Sequence, residues 1–312
     1  MALTLSAILY APRGLSSVVA ALDAWRAQTA RERVELVVIC PPLPPDEPVP
    51  TDVQIIDATE LALHTARSLG IRAARGELVM LAEDHCLPDP DAAERFLARA
   101  EEGWDLVGPS LRSADPRKLA SRAAFVLGYS EWMSPLVAGP TTVLPGHNSV
   151  IRRELLIALG NRLEEELRGS AFVATRLLRS GASGFVDPAI RMRHFDRPSW
   201  CFQFPLFACV GLGFGAIRTR DWPLLARLLY PLAIPAIVAR HFWRAHAQLR
   251  RAEGFPPSRA GVAALALAWG LGEGVGALLG PARTTSAIEL TEVKPISSDD
   301  VARSDRYECE QI

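Results

Sequence analysis

Three long apolar blocks, residues 201–217, 223–238 and 261–280, fill the chain after His194, with arginine-rich connections between them. Whatever the preceding residues form, these blocks need either a bilayer or a helical core of their own. Spanning a hydrocarbon core takes about 20 apolar residues, a length that 261–280 meets. Its leucines and valines contribute roughly −2 to −4 kcal/mol to insertion, and Glu273 near the helix centre costs about +2.5 to +3.5 kcal/mol, so insertion is close to balanced. The block 201–217 is shorter, and 223–238 contains Arg227 and three prolines. Amphipathic or partly inserted helices, with arginines on anionic headgroups, fit at least as well as three clean spans. The alternative is a buried helical subdomain of a soluble protein. Between residues 191 and 259, eleven arginines face only Asp196, Asp221 and Glu253.

The first half reads differently. Short apolar runs alternate with helical patterns, as in a mostly parallel sheet with crossover helices. Strands are expected over 3–10, 35–40, 53–56, 78–82 and 106–108, and helices over 16–28, 61–74 and 91–102. The proline-rich stretch 41–50 cannot enter a sheet interior and is expected as a surface loop. The order β-α-β-β-α-β places Glu83-Asp84-His85 beyond the carboxyl end of the fourth strand, where open α/β sheets bind ligands. Three regions follow: an α/β domain over 1–197, a membrane-associated helical region over 198–282, and a polar tail over 283–312. In the tail, seven acidic residues outnumber Lys294, Arg303 and Arg306 beyond residue 283, a composition that favours disorder.

The formal charge of −1 gives no reason to expect nucleic acid as a partner. Five scattered cysteines without a CxxC pair indicate neither a disulfide framework nor a zinc site, which suits a reducing compartment. The apolar run at the amino end is too short for a signal segment and reads as a buried strand.

The sharpest local feature is MLAEDHCLPDP, residues 80–90: an apolar strand, two carboxylates, an imidazole, and a turn set by Pro88 and Pro90. A divalent ion held there would bridge phosphates and stabilise charge on a diphosphate leaving group. On a continuing strand Glu83 and His85 share one side, which makes them the first pair of metal ligands. His194 is a further candidate because imidazole is a common ligand. The bland alternatives are an acidic strand-end turn and a satisfied structural histidine; His64 and His241 are read as structural.

Ala66 to Glu77 (ARSLGIRAARGE) is similar to the "ARNxGxxxAxGD" segment of the family 2 glycosyltransferases of the GT-A fold, and Glu83-Asp84-His85 stands at the family's DxD position. The related polypeptide N-acetylgalactosaminyltransferases use DxH, so a terminal histidine is compatible with metal. Residues 145–153 (PGHNSVIRR) resemble "GxNxxxRR", which lines the sugar and acceptor site, residues 176–181 resemble "RLxxxG", and 187–194 resemble a strand ending in a family histidine. The resemblance covers roughly residues 3–195. It implies an α/β fold of the GT-A type (Rossmann-like, mostly parallel sheet with flanking helices) with a C-terminal apolar helical region. It further implies Mn2+ or Mg2+ at Glu83, His85 and His194, and a nucleotide-sugar donor against Pro12, Arg67, Asp84, Gly146 and Asn148. The activity implied is sugar transfer, of the hexosyltransferase class, to a saccharide or lipid-linked acceptor at the cytoplasmic face of a membrane.

Two departures matter. Cys40-Pro41-Pro42 stands where the family often has a base-binding Asp, and Gly169-Ser170 stands where its "ED" base motif should lie. The nearest carboxylates are Glu164, Glu165 and Glu166. Consecutive helical residues point about 100° apart, so at most two face one cleft, and Glu165 is the expected general base for inverting transfer. The competing readings are a solvated helix face and, for the chain as a whole, a membrane-bound scaffold of the same fold that has lost catalysis.

Overall fold

The computed structural model describes residues 4–44, 50–59, 61–252, 258–281, 284 and 296–309. They divide into two compact units: one from Met1–Arg112, Leu136–His194 and Val293–Ile312, the other from Ser113–Pro135 and Phe195–Glu292.

The first unit is built on a nine-stranded sheet. Its parallel half is β1 (Leu5–Tyr10), β2 (Val34–Cys40), β3 (Val53–Asp57) and β4 (Leu78–Ala82), in the spatial order β3-β2-β1-β4. β1, β2 and β4 are buried on both faces, which is why they read as nearly unbroken apolar runs. The crossover helices are α1 (Val19–Arg26) and α2 (Leu63–Ala73). α2 lies hard against the sheet at Gly70, where a Cβ would come within 2.7 Å of Ile39 and Ile8 side-chain carbons. Of the expected loop 41–50, residues 45–49 lie outside the described residues.

Beyond β4 the sheet is antiparallel, so the expectation of a mostly parallel sheet holds for its first half and the whole is mixed. β8 (Val150–Arg152) pairs antiparallel with β4 and with β6 (Leu106–Ser113), and β9 (Gly184–His194) carries the short β5 (Cys86–Pro88) and β7 (Gly139–Pro140). This is an α/β fold of the expected GT-A type. Around these strands run α3 (Ala92–Glu101), α5 (Arg153–Ile157), α6 (Leu163–Leu167) and α7 (Ser170–Arg179). Arg152 and Arg153, at the end of the segment similar to "GxNxxxRR", bind helix ends. Arg153 donates to the Ile71 and Arg72 carbonyls of α2 and Arg152 to Ala100 of α3, the cationic partner that carboxyl-terminal carbonyls favour.

The tail departs from expectation. Residues 298–309, read as disordered, form a helix, α12, grouped with the first unit; Arg193 of β9 donates to Ser304 at 3.4 Å and pairs with Asp305. Residues 285–295 of the tail are outside the described residues.

The second unit is helical: α4 (Leu119–Tyr129), α8 (Trp200–Arg218), α9 (Leu224–Leu229), α10 (Ile234–Leu249) and α11 (Arg259–Leu279). α4 was not expected, and residues 113–135 belong with the apolar helices although they lie inside the expected 1–197 domain. The block 223–238 breaks into α9, a 3-10 turn at Tyr230–Ala233 and α10, because Pro231 and Pro235 remove backbone donors. Three helices, Trp200–Arg218, Leu224–Leu249 and Arg259–Leu279, are long and apolar enough to cross a membrane.

α8 and α11 meet backbone to backbone. A Cβ at Gly211 or Gly215 would lie 2.0 or 1.9 Å from the Trp269 or Glu273 carbonyl oxygen, and one at Gly272 or Gly276 would lie 2.0 or 1.9 Å from Ala208 or Leu212. These are two facing small-xxx-small ridges, the pattern that lets helix backbones touch where lipid removes the hydrophobic drive to associate. The cost assigned to Glu273 is met inside the unit: its carboxylate accepts from Tyr230 Oη at 2.7 Å and Trp269 Nε1 at 3.1 Å, and Arg218 lies 3.0 Å away. Gly276→Leu should destabilise the purified protein by about 3 kcal/mol through overpacking. Gly128→Ala on α4, whose Cβ meets nothing within 4 Å, should change stability by about 1 kcal/mol or less. Thermal unfolding of both variants checks this.

Candidate active site

At the carboxyl end of β4 the chain turns at Glu83-Asp84-His85 and re-enters the sheet as β5. Glu83 and His85 therefore do not share a side by strand alternation, as expected. The turn and the pairing of Cys86 with His194 bring them together instead. One ligand atom each from Glu83, His85 and His194 lies within 4.8 Å of the others, and all three residues are buried. Glu83 Oε2 is 4.0 Å from His85 Nε2 and 3.8 Å from His194 Nε2, and the two imidazoles meet edge to face with centroids 4.8 Å apart.

The surroundings orient each group. An Asp84 carboxylate oxygen is 2.5 Å from His85 Nδ1. A carboxylate can only accept, so Nδ1 carries the proton, which leaves Nε2 facing Glu83. Asp84, expected at the donor, thus has one carboxylate oxygen on a candidate ligand. Asn148 grips Glu83 at two points: Glu83 N–H donates to Asn148 Oδ1 at 3.1 Å, and Asn148 Nδ2 donates to Glu83 Oε2 at 2.6 Å. To do so Asn148 adopts φ 60°, a left-handed conformation that asparagine tolerates better than most residues. Burial works to raise the Glu83 pKa. The charge of His85, the hydrogen bond and charge of His147, and the charge of His194 outweigh it and hold the carboxyl well below its usual range.

His147 and Ser170 were not singled out as site residues from the sequence. His147 Nδ1 lies 3.4 Å from Glu83 Oε1, and its Nε2 is 2.9 Å from Ser170 Oγ. Ser170 Oγ in turn accepts from Arg67 at 2.8 Å. His147 thus stands between the Glu83 carboxylate and the Ser170 hydroxyl, one ring nitrogen toward each. The signal that could have found Ser170 was present: it stands where the family's base motif was missed.

Residues 49–160 match the family model Glycosyl transferase family 2. Over those residues the chain is similar to the family 2 glycosyltransferases. No curated protein matches the chain. The matched segment contains α2, the Glu83-Asp84-His85 turn and the His147-Asn148 turn, and ends before Ser170 and His194.

The remaining expected site residues fall as follows. Pro12 follows β1 and Gly146 precedes His147, both partly exposed, while Arg67 is buried on α2. Glu164 Oε1 accepts from Thr65 at 2.8 Å and lies 3.8 Å from His64 Nε2. Glu165 is exposed and paired with Arg168 at 2.7 Å, and Glu166 pairs with Arg176 at 2.7 Å. The metal-ligand candidates thus converge with Asn148, His147, Ser170 and Arg67, whereas the three glutamates are each engaged with other partners.

Replacing Asn148 by Ala should cost about 2 to 5 kcal/mol, summing the left-handed backbone and the lost bonds to a charged carboxylate. Asn148→Gly should recover only the backbone part. Chemical denaturation of the two variants separates the contributions.

Proposed function

We propose that the protein transfers a sugar from a nucleotide donor to a cell-surface polysaccharide, glycolipid or lipid-carrier acceptor, with metal assistance and inversion, at the cytoplasmic face of the cell membrane. The observation that carries the proposal is the convergence of Glu83, His85 and His194 at the carboxyl end of β4, with Glu83 and His85 inside the segment similar to family 2 glycosyltransferases. One carboxylate and two imidazoles suit a borderline divalent ion such as Mn2+, and Mg2+ would draw more on the carboxylate. Glu83 lies 3.8 and 4.0 Å from the two imidazoles, and the three ligand atoms all lie within 4.8 Å of one another; bonds of about 2.1 Å would place neighbouring ligands about 3 to 3.5 Å apart, so the trio would draw together on an ion. Such an ion would neutralise charge on the donor's diphosphate as it leaves.

The residues of the chain supply the rest. Asn148 and Asp84 hold Glu83 and His85 in their orientations, and Arg67 brings a buried cation to the donor diphosphate. The acceptor hydroxyl must lose a proton, which we assign to the cluster Glu164–Glu166 and first to Glu165. A second reading, a scaffold of the same fold without turnover, draws support from one observation: Ser170, where the family's base motif is missed, meets His147 and Arg67 but carries no carboxylate.

Two measurements test the proposal. Titration of the full chain with UDP or GDP and Mn2+ should show nucleotide binding that chelator abolishes, and His85→Ala should weaken it by at least about tenfold. Binding unchanged by either treatment would overturn the metal assignment. Under turnover with nucleotide sugars, Glu165→Gln should lower the rate by about 10² to 10⁴ with donor affinity nearly unchanged. If Gln at 164, 165 and 166 in turn leaves the rate intact, the base lies elsewhere or transfer is retaining; absence of turnover in the unmodified protein would favour the scaffold.

A further inference from the structure

The path of the chain through the helical unit constrains how it meets a bilayer, an inference that rests on the membrane association proposed above. α8 and α11 run parallel, because Gly211 and Gly215 approach Trp269 and Glu273 in rising order, as Gly272 and Gly276 approach Ala208 and Leu212. α10 runs antiparallel to α11. Gly270 meets Val238 and Ile234, Gly274 meets Ile234 and Pro231, and Arg227 donates to the Ala277 and Leu278 carbonyls near the end of α11. The three stretches long enough to cross therefore alternate in direction. Were each a full crossing, the chain would leave α11 on the side opposite its entry into α8.

α12 contradicts that outcome. It follows α11 in the chain, yet it belongs to the unit containing β9, where Arg193 donates to Ser304 and pairs with Asp305. Arg193 stands seven residues before the start of α8. The intervening segment 281–297 carries Arg283, Glu289, Glu292 and Lys294, too many charges to bring the chain back through hydrocarbon. The connections add a second argument. Arg220 lies between α8 and α9, and Arg250 and Arg251 follow α10. Three crossings would place these two arginine-bearing connections on opposite faces, against the bias of Lys and Arg toward one face.

We infer that the helical unit is embedded from one face of the membrane and returns the chain to that face, so that residues 195 and 298 lie on the same side. Its occupant is lipid acyl chain. Leu224, Leu225 and Leu232 are 69, 68 and 77% exposed, and Leu267, Leu271, Val275 and Leu278 form an exposed stripe along α11. Glu273, Arg218 and Tyr230 satisfy one another within the unit, so the lipid-facing surface need not carry their charge.

Two single-cysteine probes test this in the full chain, on a background in which Cys201, Cys209 and Cys309 are replaced by Ser; Cys40 and Cys86 are buried. One is Arg75→Cys, at a side chain 81% exposed in the first unit, and the other is Asp299→Cys on the exposed start of α12. A membrane-impermeant maleimide applied to sealed inside-out and right-side-out vesicles should label both probes from the same face. Labelling from opposite faces would overturn the inference and leave membrane association standing. Protein that does not stay with the vesicles would overturn both.

Discussion

The two-point contact between Glu83 and Asn148 joins the halves of the first unit. Glu83 closes β4, the last strand of the parallel half. Asn148 stands two residues before β8, which pairs antiparallel with β4, and its own N–H donates to the Leu81 carbonyl. The side chain of Asn148 thus continues, through its amide, the ladder that the backbone begins between β4 and β8. A buried carboxylate without partners is costly. Here the amide of Asn148 and the imidazole of His147 meet it, so the chain can keep a negative group at a strand end where an apolar sheet would otherwise exclude one. The candidate ligands depend on this, because a Glu83 turned toward solvent would leave His85 and His194 facing each other alone.

Much of this was legible in the sequence, for identifiable reasons. The parallel strands showed because burial on both faces leaves an apolar run, and α1 showed through its helical stripe. The trio Glu83, His85 and His194 was legible as a set of residue types, two of them on one strand-end motif and the third at the end of a distant strand. The reason they converge was not. Strand alternation was the wrong argument, since Glu83 and His85 lie in a turn, and only the register of Cys86 with His194, separated by more than a hundred residues, brings the third ligand in. Pairings of that range leave no periodic trace. For the same reason α4 escaped notice: Ala120, Ala123 and Ala124 are buried, and an alanine-rich face carries little amphipathic contrast.

The tail shows a different limit. Its composition is that of a segment unable to bury enough apolar surface to order itself, and taken alone that reading is sound. What composition cannot express is that Arg193, on a strand already ordered by the sheet, supplies a fixed cation. Asp305 and Ser304 then need only one partner rather than a core. Charge density, which argues for disorder in isolation, becomes the means of attachment once the complementary charge is held elsewhere.

The helical unit resolves the near-balance of insertion energies in a related way. Glu273 weighs against burial in hydrocarbon only if it faces hydrocarbon, and here it faces inward. The glycines of α8 and α11 bring the two backbones into contact, and Tyr230 and Arg218 reach the carboxylate between them. Those same glycines could not be replaced by larger residues without separating the helices around Glu273. The polar residue and the small residues are therefore one feature: close packing makes a buried carboxylate tolerable, and the carboxylate ties together helices that apolar contact alone would hold weakly in a bilayer. A unit so satisfied within itself can turn its leucines outward without turning the Glu273 charge out among them.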